Sequence, residues 1–376
     1  MKVKNLFVLP LLFMLTVFPE FAVSAPEGEF VSLFNGKDLS GWVMEGPQEA
    51  FVVKNESIYS TGAYPMPNWL RSEKEYENFI LRFEYQTVGW YEGGFLIHAP
   101  QYGDASRMGL KLHIKHERKE YGARSAGALY DLRAPLKIAN KPSGQWNQME
   151  IISDYPKLQI RLNDELIHDL DMSSDRDLAD RLRRGHIGIQ GLGCQAYFRK
   201  IEIRELPDKL EYINVFPETI EGFEIIEEAD WSLENNILTG KGKLGHIITK
   251  KSFEGPYQLQ VWVRVVTING NGGILPRWND RNRGFEIQVF NTPDTTNPTG
   301  SIYDIAPARR VVSRDQEWFL IQAIVDGPYA RVRVNGELVA ESNNLREPYS
   351  GRIAFQQHTP DAELQFRDAR IIMMKD

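Results

Sequence analysis

The chain has 376 residues, a formal net charge of −7 at pH 7 and one cysteine, Cys194. The acidic balance argues against nucleic acid as a partner, because neutralising phosphate groups requires a basic face. With one cysteine the chain has no internal disulfide, so its hydrophobic cores alone must hold it together, and its length suits two domains of ordinary size.

The first 25 residues have the pattern of a secretory signal peptide. Lys2 and Lys4 precede an apolar run from Leu6 to Phe18, and small residues follow up to Ala25. The run is too short to span a bilayer, which favours a cleaved signal over an uncleaved anchor. We therefore expect residues 1–25 to direct the protein to the periplasm or the medium, and no other segment resembles a membrane span.

Alternation of apolar and polar residues dominates the rest of the chain and predicts half-buried strands. The alternating segments include Phe79–Tyr85, Leu158–Leu162, Phe198–Ile203, Tyr257–Val263 and Ala330–Val334. Asn163-Asp164 and Asn335-Gly336 lie beside such segments and predict tight hairpin turns. Many short antiparallel strands in domains of this size are typical of a β-sandwich.

One short helix is predicted from Ser174 to Arg184. Ser173 or Ser174 would cap it, and Asp175 would lie in its first turn, near the positive end of the helix dipole. The basic run Arg181–Arg184 is interpreted as the solvated face of this helix rather than as a binding patch.

Several motifs of the chain occur twice. The recurring segments are Gly127–Asp131 as Gly300–Asp304, Trp146 as Trp318, Asn163–Leu166 as Asn335–Leu338, and Gly185–Gln190 as Gly351–Gln356. A repeat this long indicates two copies of a whole domain rather than a solenoid of small units. We expect a first domain at residues 27–206 and a second at residues 214–376, joined by a short polar linker that holds them side by side.

The same motifs resemble one known domain family. The segment Phe34–Trp42 (FNGKDLSGW) is similar to the opening motif of the family long known as DUF1080. That family is now described as 3-keto-disaccharide hydrolase, or 3-keto-glucoside lyase and 2-hydroxy-glycal hydratase. Further similarities lie in the Gly-Ala-Leu-Tyr segment, in Gly144–Asn147, in the Gly-x-Ile-x-x-Gln segment and in Phe198–Ile203.

The resemblance implies an all-β fold made of two tandem concanavalin-like jelly-roll β-sandwiches. It also implies substrates whose sugar is already oxidised to a ketone at C3, with a sugar 3-dehydrogenase acting beside this protein. The similarity covers nearly all of the first domain and, in the second domain, chiefly the part from Gly273 onward.

Members of the family carry a Glu-x-Gln pair on a strand of the concave sheet, and the second domain has it at Glu286 and Gln288. With a period of two, both side chains face the same way, which suits either a sugar-binding groove or an ordinary solvent-facing side. In the first domain Lys111 and His113 take these places. The first domain has therefore either lost activity or uses another base, and histidine is a competent one.

A divalent metal site (Ca, Mg or Zn) is a second hypothesis for the first domain. His98, His113, His116 and Glu117 are residue types that bind such ions. However, His113 and His116 are three residues apart and point to opposite faces of a regular strand, so a bulge would have to bring them together. Isolated, hydrogen-bonded histidines are the alternative.

The remaining candidates would bind substrate or stabilise charge. Arg277 takes the place of His98 in the second domain, where it would stabilise a developing enolate oxygen or form a surface ion pair with Asp280 or Glu286. The candidates for binding sugar hydroxyls are Gln190, Gln288, Gln357, His358, Asp131 and Asp304.

The number of carboxylates favours elimination over ordinary glycoside hydrolysis. A standard glycosidase needs two carboxylates across the scissile bond, whereas the relevant strand offers one in the second domain and none in the first. A C3 ketone acidifies the proton on C2, so one base suffices. Glu286 or His113 would act as that base, while Arg277, Lys111 or a metal would stabilise the enolate and Gln288 would orient the sugar.

Two other functions are consistent with the same sequence. A carbohydrate-binding module would use aromatic side chains in predicted loops, namely Trp69, Trp90, Tyr91 and Trp278. A structural scaffold, in which one domain braces the other, would show no groove lined by polar residues. Jelly rolls serve as lectins and as enzymes, so the fold does not choose between these functions.

Overall fold

The computed structural model describes residues 28–65, 68–279 and 284–374. Within these ranges two large hydrophobic cores form, one between Phe34 and Ile203 and the other between Val215 and Ile371, beside three smaller clusters. No helix in the described ranges is long and apolar enough to cross a membrane. The predicted signal peptide, residues 1–25, lies outside the described residues.

The first domain is built from strands with two short helices between them. In chain order they are β1 (Val31–Ser32), β2 (Trp42–Glu45), β3 (Phe51–Lys54), β4 (Ser57–Thr61), β5 (Asn68–Tyr76), β6 (Phe79–Val88), β7 (Glu92–Ala99), α1 (Ala105–Met108), β8 (Leu110–Lys115), β9 (Asn147–Asp154), β10 (Lys157–Leu162), β11 (Glu165–Asp171), α2 (Arg176–Ala179), β12 (Gly185–Gly191) and β13 (Gln195–Glu205).

These strands form two antiparallel sheets that enclose the first core. The back sheet has the order β11-β10-β9-β6-β13-β4-β3, with β1 paired to β13, and the front sheet has the order β2-β5-β12-β7-β8. Apolar side chains of both sheets point inward, so each sheet has one buried and one outer face. The outer face of the front sheet carries the candidate site.

The second domain contains strands β14 to β24. They are β14 (Tyr212–Asn214), β15 (Phe223–Glu234), β16 (Ile237–Phe253), β17 (Tyr257–Val265), β18 (Gly272–Trp278), β19 (Ile287–Val289), β20 (Phe319–Asp326), β21 (Tyr329–Val334), β22 (Glu337–Ser342), β23 (Gly351–Gln357) and β24 (Ala362–Met373).

In the second domain one long strand joins the two layers. The sheet order is β19-β18-β23-β16-β24-β17-β20-β21-β22, with β14 on β24 and β15 on β16. The first part of β16, to Gly242, pairs with β24, and the part from Gly245 pairs with β23. The chain therefore bends near Gly242 and closes a second sandwich, which confirms the predicted all-β fold of two tandem jelly rolls.

Both predicted hairpin turns are present and have the same geometry. Asn163 and Asp164 connect β10 to β11 with φ of 52° and 64°, and Asn335 and Gly336 connect β21 to β22 with φ of 50° and 76°. Positive φ at both central residues is the type I′ conformation that Asn and Gly favour. The side-chain oxygen of Asn335 also accepts from the backbone N–H of Leu320 at 3.0 Å.

The predicted helix from Ser174 to Arg184 is wrong in its length and its cap. The helix covers only Arg176–Ala179, and the carboxylate of Asp175 caps it by accepting from two backbone N–H groups of its first turn. Ser173 and Ser174 lie instead in a preceding 3-10 turn. A carboxylate at the N-cap position competes successfully with the neighbouring hydroxyls because it also meets the helix dipole.

The basic run Arg181–Arg184 is not a solvated helix face, contrary to prediction. Arg181 is largely buried and donates to the backbone carbonyls of Ser106 and Gly109 at 3.2 and 3.3 Å. Arg183 stacks on the ring of Tyr155 with its guanidinium carbon 3.2 Å from the ring centroid. These arginines tie segments of the first domain together, and their alkyl chains are covered rather than hydrated.

The two domains pack directly against each other. Asp180 lies in their contact, where its carboxylate is bonded by Arg331 and by the Nε of Arg333 at 2.9 Å, and the Asp180 side chain is 3% exposed. An apolar cluster across the contact contains Met108, Leu182, Trp262 and Leu320, with Tyr102 and Trp318 against it. A buried carboxylate held by two guanidinium groups fixes how the second domain sits on the first.

Candidate functional site

In both domains alternation separates residues that point into the core from residues on the outer face of one layer, formed by β7, β8 and β12 in the first domain and by β18, β19 and β23 in the second; we call this outer face the groove. In the first domain Phe95, Leu112 and Ile189 point into the core, and in the second domain Ile274, Ile287 and Phe355 do the same. The residues that alternate with them face outward: Gly94, Lys111, His113 and Gln190 in the first domain, and Gly273, Glu286, Gln288 and Gln356 in the second.

Strand register shows that these two sets are equivalent. Gly94 is paired with His113 on one side and with Gln190 on the other. Gly273 is paired with Gln288 and with Gln356 in the same way. Lys111 and Glu286 each lie two residues before the paired residue, so they occupy corresponding places, as the sequence predicted.

Both of these side chains lie flat across the glycine of the next strand. A Cβ atom on Gly94 would lie 2.5 Å from Cε of Lys111, and a Cβ atom on Gly273 would lie 2.3 Å from Oε1 of Glu286. Such distances are well inside van der Waals contact, so only glycine allows this approach. The glycine thus brings one ionisable group onto the floor of each groove.

In the first domain an aromatic ring covers the ionisable pair. The Lys111 amine lies 4.3 Å from the ring centroid of Tyr130, and the His113 ring meets the Tyr130 ring edge-on at 5.0 Å. The Nδ1 atom of His113 is 3.0 Å from the carbonyl oxygen of Arg124, and its Nε2 atom is 3.3 Å from a carboxylate oxygen of Glu92. Lys111 and His113 are 5% and 1% exposed.

This burial changes the protonation of both groups. Burial lowers the pKa of Lys111 to about 8. Burial, followed by the positive charge of Lys111, lowers the pKa of His113. At neutral pH His113 is therefore uncharged and can accept a proton, while part of Lys111 is a neutral amine.

In the second domain the groove contains a carboxylate–histidine–amide chain that the sequence did not reveal. His246 on β16 is fully buried, and its Nδ1 atom is 2.7 Å from Oε2 of Glu227. The side-chain nitrogen of Gln356 lies 3.1 Å from Nε2 of His246. Because an amide nitrogen can only donate, Nε2 accepts and the Nδ1 proton is donated to Glu227. A polar residue inside the apolar stretch of β16 was the one available signal.

Gln288 and His358 lie at one end of the second groove. Nε2 of Gln288 donates to the side-chain oxygen of Asn271 at 3.0 Å. The backbone N–H of His358 donates to the backbone carbonyl of Asn271 at 2.9 Å, and the His358 side chain is exposed. The Gln288 side chain is thus buried and held by Asn271, the His358 side chain is exposed, and β19 begins only at Ile287, later than predicted.

Gln357 was predicted in the groove, and this is wrong by one residue. Its side chain is fully buried and donates to the backbone carbonyl of Ala362 at 3.2 Å, which fixes the turn after β23. Its neighbour Gln356 faces the groove instead. The alternation of β23 decides this, because one step along a strand moves a side chain to the opposite face.

Arg277 takes the place of His98, as predicted, but that place is not in the groove. Gly351 and Gly284 press against the backbone of Arg277, just as Gly185 and Gly109 press against that of His98. The guanidinium of Arg277 is fully buried and donates to the backbone carbonyl of Gly327, in a turn of the opposite layer. Burial lowers its pKa. Neither the predicted enolate contact nor an ion pair with Glu286 is formed, and Asp280 lies outside the described residues.

The predicted metal site is also wrong, because its four residues have separate partners. Nε2 of His98 is 2.8 Å from the carbonyl oxygen of Glu77, and Nδ1 of His116 is 3.0 Å from that of Tyr91. His113 faces the groove, and Glu117 lies 3.5 Å from the amine of Lys115. Within the ranges that the structure describes, no three His, Cys, Asp or Glu side chains are gathered for an ion.

Asp131 and Asp304 hold the turns beside the two grooves. Both have positive φ, 57° and 54°. Asp131 accepts from Nε and Nη2 of Arg124 at 2.5 and 3.1 Å, and Asp304 accepts from Nδ2 of Asn297 at 3.1 Å. The residues just before them, Tyr130 and Tyr303, bond to the backbone of Lys111 and Glu286 at 2.9 Å. Each turn therefore holds the strand that carries the ionisable group.

Of the four aromatic residues predicted to lie in loops, only Trp90 and Tyr91 do so. Trp69 lies on β5 and not in a loop, with its ring against Gly188, where a Cβ atom would be 2.7 Å from the ring. Trp278 ends β18 and packs 5.0 Å from His246, measured between ring centroids. Tyr91 is fully buried, whereas Trp90 is 62% exposed. Trp278 is buried in an apolar cluster with Leu275 and Ala354, Tyr91 belongs to the core, and Trp90 alone of these four has an exposed side chain.

Comparison with known proteins agrees with this layout. A model of the family described as 3-keto-alpha-glucoside-1,2-lyase-like domain matches residues 29–204 and 211–372. A search of curated proteins gives no match.

Several solved structures are similar to one half of the chain. A "putative glycosyl hydrolase" from Parabacteroides distasonis is 21% identical and covers 48% of this chain and 94% of its own, with a TM-score of 0.42. A second structure so described, from the same organism, is 22% identical and covers 47% and 100%, also with a TM-score of 0.42. The carbohydrate binding module CBM66 from Bacillus subtilis is 10% identical and covers 39% and 93%, with a TM-score of 0.32.

The two matched segments span most of the chain and contain both grooves. They confirm the resemblance that the motifs indicated. The chain therefore belongs to the family of 3-keto-alpha-glucoside-1,2-lyase-like domains.

Proposed function

We propose that this protein is a carbohydrate-active enzyme that cleaves glycosides whose sugar already carries a ketone at C3. The observation that supports it most is the position of Glu286, one carboxylate lying across Gly273 on the groove floor. Around it, Gln288 and Gln356 present amide groups that can bind sugar hydroxyls. The family match supports sugar chemistry of this kind.

A single carboxylate is sufficient for elimination. Glu286 takes the proton from C2, and the electron pair moves to the C3 oxygen, giving an enolate. The enolate then re-forms the ketone, a C1–C2 double bond forms and the bond from C1 to the leaving oxygen breaks. That oxygen takes the proton from Glu286. The product is a 2-hydroxy-3-keto-glycal, to which water can add for net hydrolysis.

The Glu227–His246–Gln356 chain has a positioning role in this proposal. His246 is fixed by Glu227 and in turn holds the amide nitrogen of Gln356. The side chain of Gln356 is therefore held in one rotamer before a sugar binds. Binding then costs less side-chain conformational entropy.

The predicted signal peptide indicates where in the cell this enzyme would act. We propose that the enzyme acts in the periplasm or outside the cell, beside a sugar 3-dehydrogenase that supplies the C3 ketone. Without that oxidation the C2 proton is not acidic enough for one carboxylate to remove, so a supplying oxidation must come first.

The test is turnover of 3-keto-trehalose compared with trehalose, followed as release of glucose. We expect release only from the keto sugar, and we expect Glu286→Gln to lower kcat by roughly 100-fold or more, as loss of a general base does. Glu254→Gln, which changes an exposed carboxylate, is the matched control. Equal cleavage of trehalose, or full activity of the Glu286 variant, would contradict the proposal.

A carbohydrate-binding protein without catalysis is the second candidate, and the position of Trp69 favours it. The ring lies on the outer face of the first domain, against Gly188, where it offers a flat surface for a sugar ring. Calorimetry with 3-keto-trehalose separates the two functions. Heat of binding without any release of glucose would support this candidate instead.

A further inference from the structure

Lys111 has a reactivity that the proposed reaction does not use. Its side chain lies across Gly94 in the groove of the first domain and is 5% exposed. None of the ion pairs or hydrogen bonds between described residues involves its amine, whose near neighbour is the ring of Tyr130 at 4.3 Å. By contrast, the amine of Lys115, two residues further on, is 3.5 Å from the carboxylate of Glu117.

A buried lysine whose amine no carboxylate contacts directly is a nucleophile, and at Lys111 the more distant carboxylates of Glu92, Asp104 and Asp131 offset the effect of burial only in part. Burial penalises the ammonium form and lowers the pKa of Lys111 to about 8. Roughly a tenth of the side chain is then a neutral amine at pH 7. Neutral lysine amines in apolar surroundings attack carbonyl groups, and the substrate of the proposed function carries a ketone.

We propose that Lys111 condenses with the C3 ketone of a 3-keto sugar to form an iminium ion, which makes the first domain a second catalytic centre. This inference rests on the proposed function for its ketone substrate. It gives Lys111 a function in the place that Glu286 occupies in the second domain.

An iminium suits the weak base that this groove offers. His113 is neutral and, because its pKa is lowered, it is a poorer proton acceptor than an ordinary imidazole. A positively charged iminium withdraws electrons from C2 more strongly than a ketone, so a weaker base can remove the C2 proton. Lys111 and His113 lie two residues apart on one strand face, about 7 Å between Cα atoms, which leaves room for C3 and C2 between them.

The steps balance without any further reactant. The neutral amine of Lys111 attacks C3 and the C=N bond forms, while one proton from the amine and one from solvent convert the carbonyl oxygen to water, which leaves; the solvent proton is returned when the iminium is hydrolysed at the end. Nε2 of His113 takes the C2 proton, and the electron pair forms the C2–C3 bond of an enamine. The bond from C1 to the leaving oxygen then breaks, and that oxygen takes the proton from His113. Water hydrolyses the conjugated iminium, which restores Lys111 and releases the unsaturated ketone.

The groove has unused polar groups for the sugar. The side-chain oxygen of Gln190 is buried without a hydrogen-bond partner, and Nε2 of His113 has the carboxylate of Glu92 beside it at 3.3 Å. Gln190 and His113 flank Gly94 on its two neighbouring strands. A sugar hydroxyl beside C3 would donate a hydrogen bond to the Gln190 side-chain oxygen. Without such a donor, burial of this oxygen costs its hydration free energy with no hydrogen bond to offset it.

The test traps the iminium by reduction. The full-length Glu286→Gln protein, in which the proposed base of the second domain is absent, is incubated with 3-keto-1,5-anhydroglucitol and sodium cyanoborohydride. This probe has the ketone, but C1 carries only the ring oxygen, so no alcohol can be released from it by elimination. Peptide mass spectrometry should show the mass of the probe less one oxygen atom on Lys111 and not on Lys115.

Two variants separate nucleophilic attack from simple charge. Lys111→Arg keeps the positive charge but forms no imine, and Lys111→Met keeps the aliphatic chain over Gly94. Both should lose the adduct completely, while circular dichroism shows that they remain folded. Equal labelling of Lys111 and Lys115 would mean unspecific reaction and would overturn the inference.

Turnover of 3-keto-trehalose by the unaltered protein distinguishes failure of this inference from failure of the proposed function. Release of glucose without an adduct on Lys111 would overturn the iminium and leave the proposed function standing. Neither glucose nor adduct would overturn both.

Discussion

Lys111 and Glu286 occupy the same place in the two domains, each lying across a glycine of the neighbouring strand with opposite charge. The pairing register of the strands, and not the residue type, determines that these two positions correspond. The glycines Gly94 and Gly273 leave the space that the two side chains fill. A fold that holds an acid in one copy and an amine in the other can use two kinds of chemistry on one class of substrate.

The contact between Glu286 and Gly273 predicts the effect of adding one methyl group. Gly273→Ala would place a Cβ atom 2.3 Å from the carboxylate oxygen, so Glu286 must move off the groove floor. We expect turnover of 3-keto-trehalose to fall at least as far as in Glu286→Gln, with a loss of less than about 1 kcal/mol in unfolding free energy, because the flexible Glu286 side chain gives way. Urea unfolding and glucose release measure the two effects.

Gly28→Ala is the control for that change. Its added Cβ atom meets nothing closer than 3.5 Å, so stability and activity should stay within error of the unaltered protein. Full activity in the Gly273 variant would show that the position of Glu286 does not matter.

The Glu227–His246 contact predicts a difference between two adjacent glutamates. Glu227→Gln replaces a charge-assisted hydrogen bond to a fully buried histidine, and we expect a loss of roughly 1.5–3 kcal/mol in unfolding free energy. KM for 3-keto-trehalose should rise as well, because Gln356 loses its fixed orientation. Thermal unfolding and steady-state kinetics measure both.

Glu228→Gln is the matched variant for this pair. Glu228 pairs with Lys243 where both side chains are largely exposed, and exposed pairs contribute about 0–1 kcal/mol. If the two variants lose equal stability, the buried dyad has no special role.

The carboxylate of Asp180 predicts how firmly the two domains are joined. Asp180→Ala removes the partner of both Arg331 and Arg333 in a contact where the carboxylate is 3% exposed. Two buried guanidinium groups would remain uncompensated, so we expect a loss of roughly 3–5 kcal/mol. Calorimetry should show the single transition separating into two, since each domain has its own core.

Asp177→Ala, in the same segment but exposed, serves as the comparison for the domain contact. It should change stability by less than about 1 kcal/mol. An unchanged melting curve for the Asp180 variant would mean that the apolar cluster alone joins the domains.

His98 predicts a dependence of stability on pH. Burial lowers its pKa to about 4 in the folded protein, below the ordinary value of 6.5. Between pH 4 and pH 6.5, His98 is protonated in the unfolded chain but neutral in the folded chain. The contribution of neutral His98 to the free energy of unfolding is therefore fully present above pH 6.5 and is lost as pH falls toward 4. From pH 7 to pH 5 the loss is about 2 kcal/mol.

His98→Asn isolates this effect, since asparagine tolerates the positive φ of 51° at that position. The free energy of unfolding of the variant should depend less on pH by that amount, measured by urea unfolding at pH 7 and pH 5. His358→Gln changes an exposed histidine and should leave the pH dependence as it is. Identical slopes for all three proteins would contradict the burial of a neutral imidazole at position 98.

The local sequence pattern was sufficient to predict those structural features that depend only on neighbouring residues. Alternation gave the strands, Asn335-Gly336 gave a hairpin, and the matched motifs gave the correspondence of Lys111 with Glu286. The helix cap could not be predicted from the local pattern. Asp175 and the nearby serines are all good N-cap residues, and only the path of the chain determines which of them caps the helix.

The sequence alone determined two all-β domains, their family and the paired positions on the groove floor, because strand periodicity and short motifs are local properties of a chain. Only the tertiary structure decided that Arg277 is buried away from the groove, that His98, His113 and His116 have separate partners, and that Glu227 and His246 meet beside Gln356. These contacts join residues far apart in sequence, and the face on which a strand residue lies depends on bulges and on the strands that pair with it.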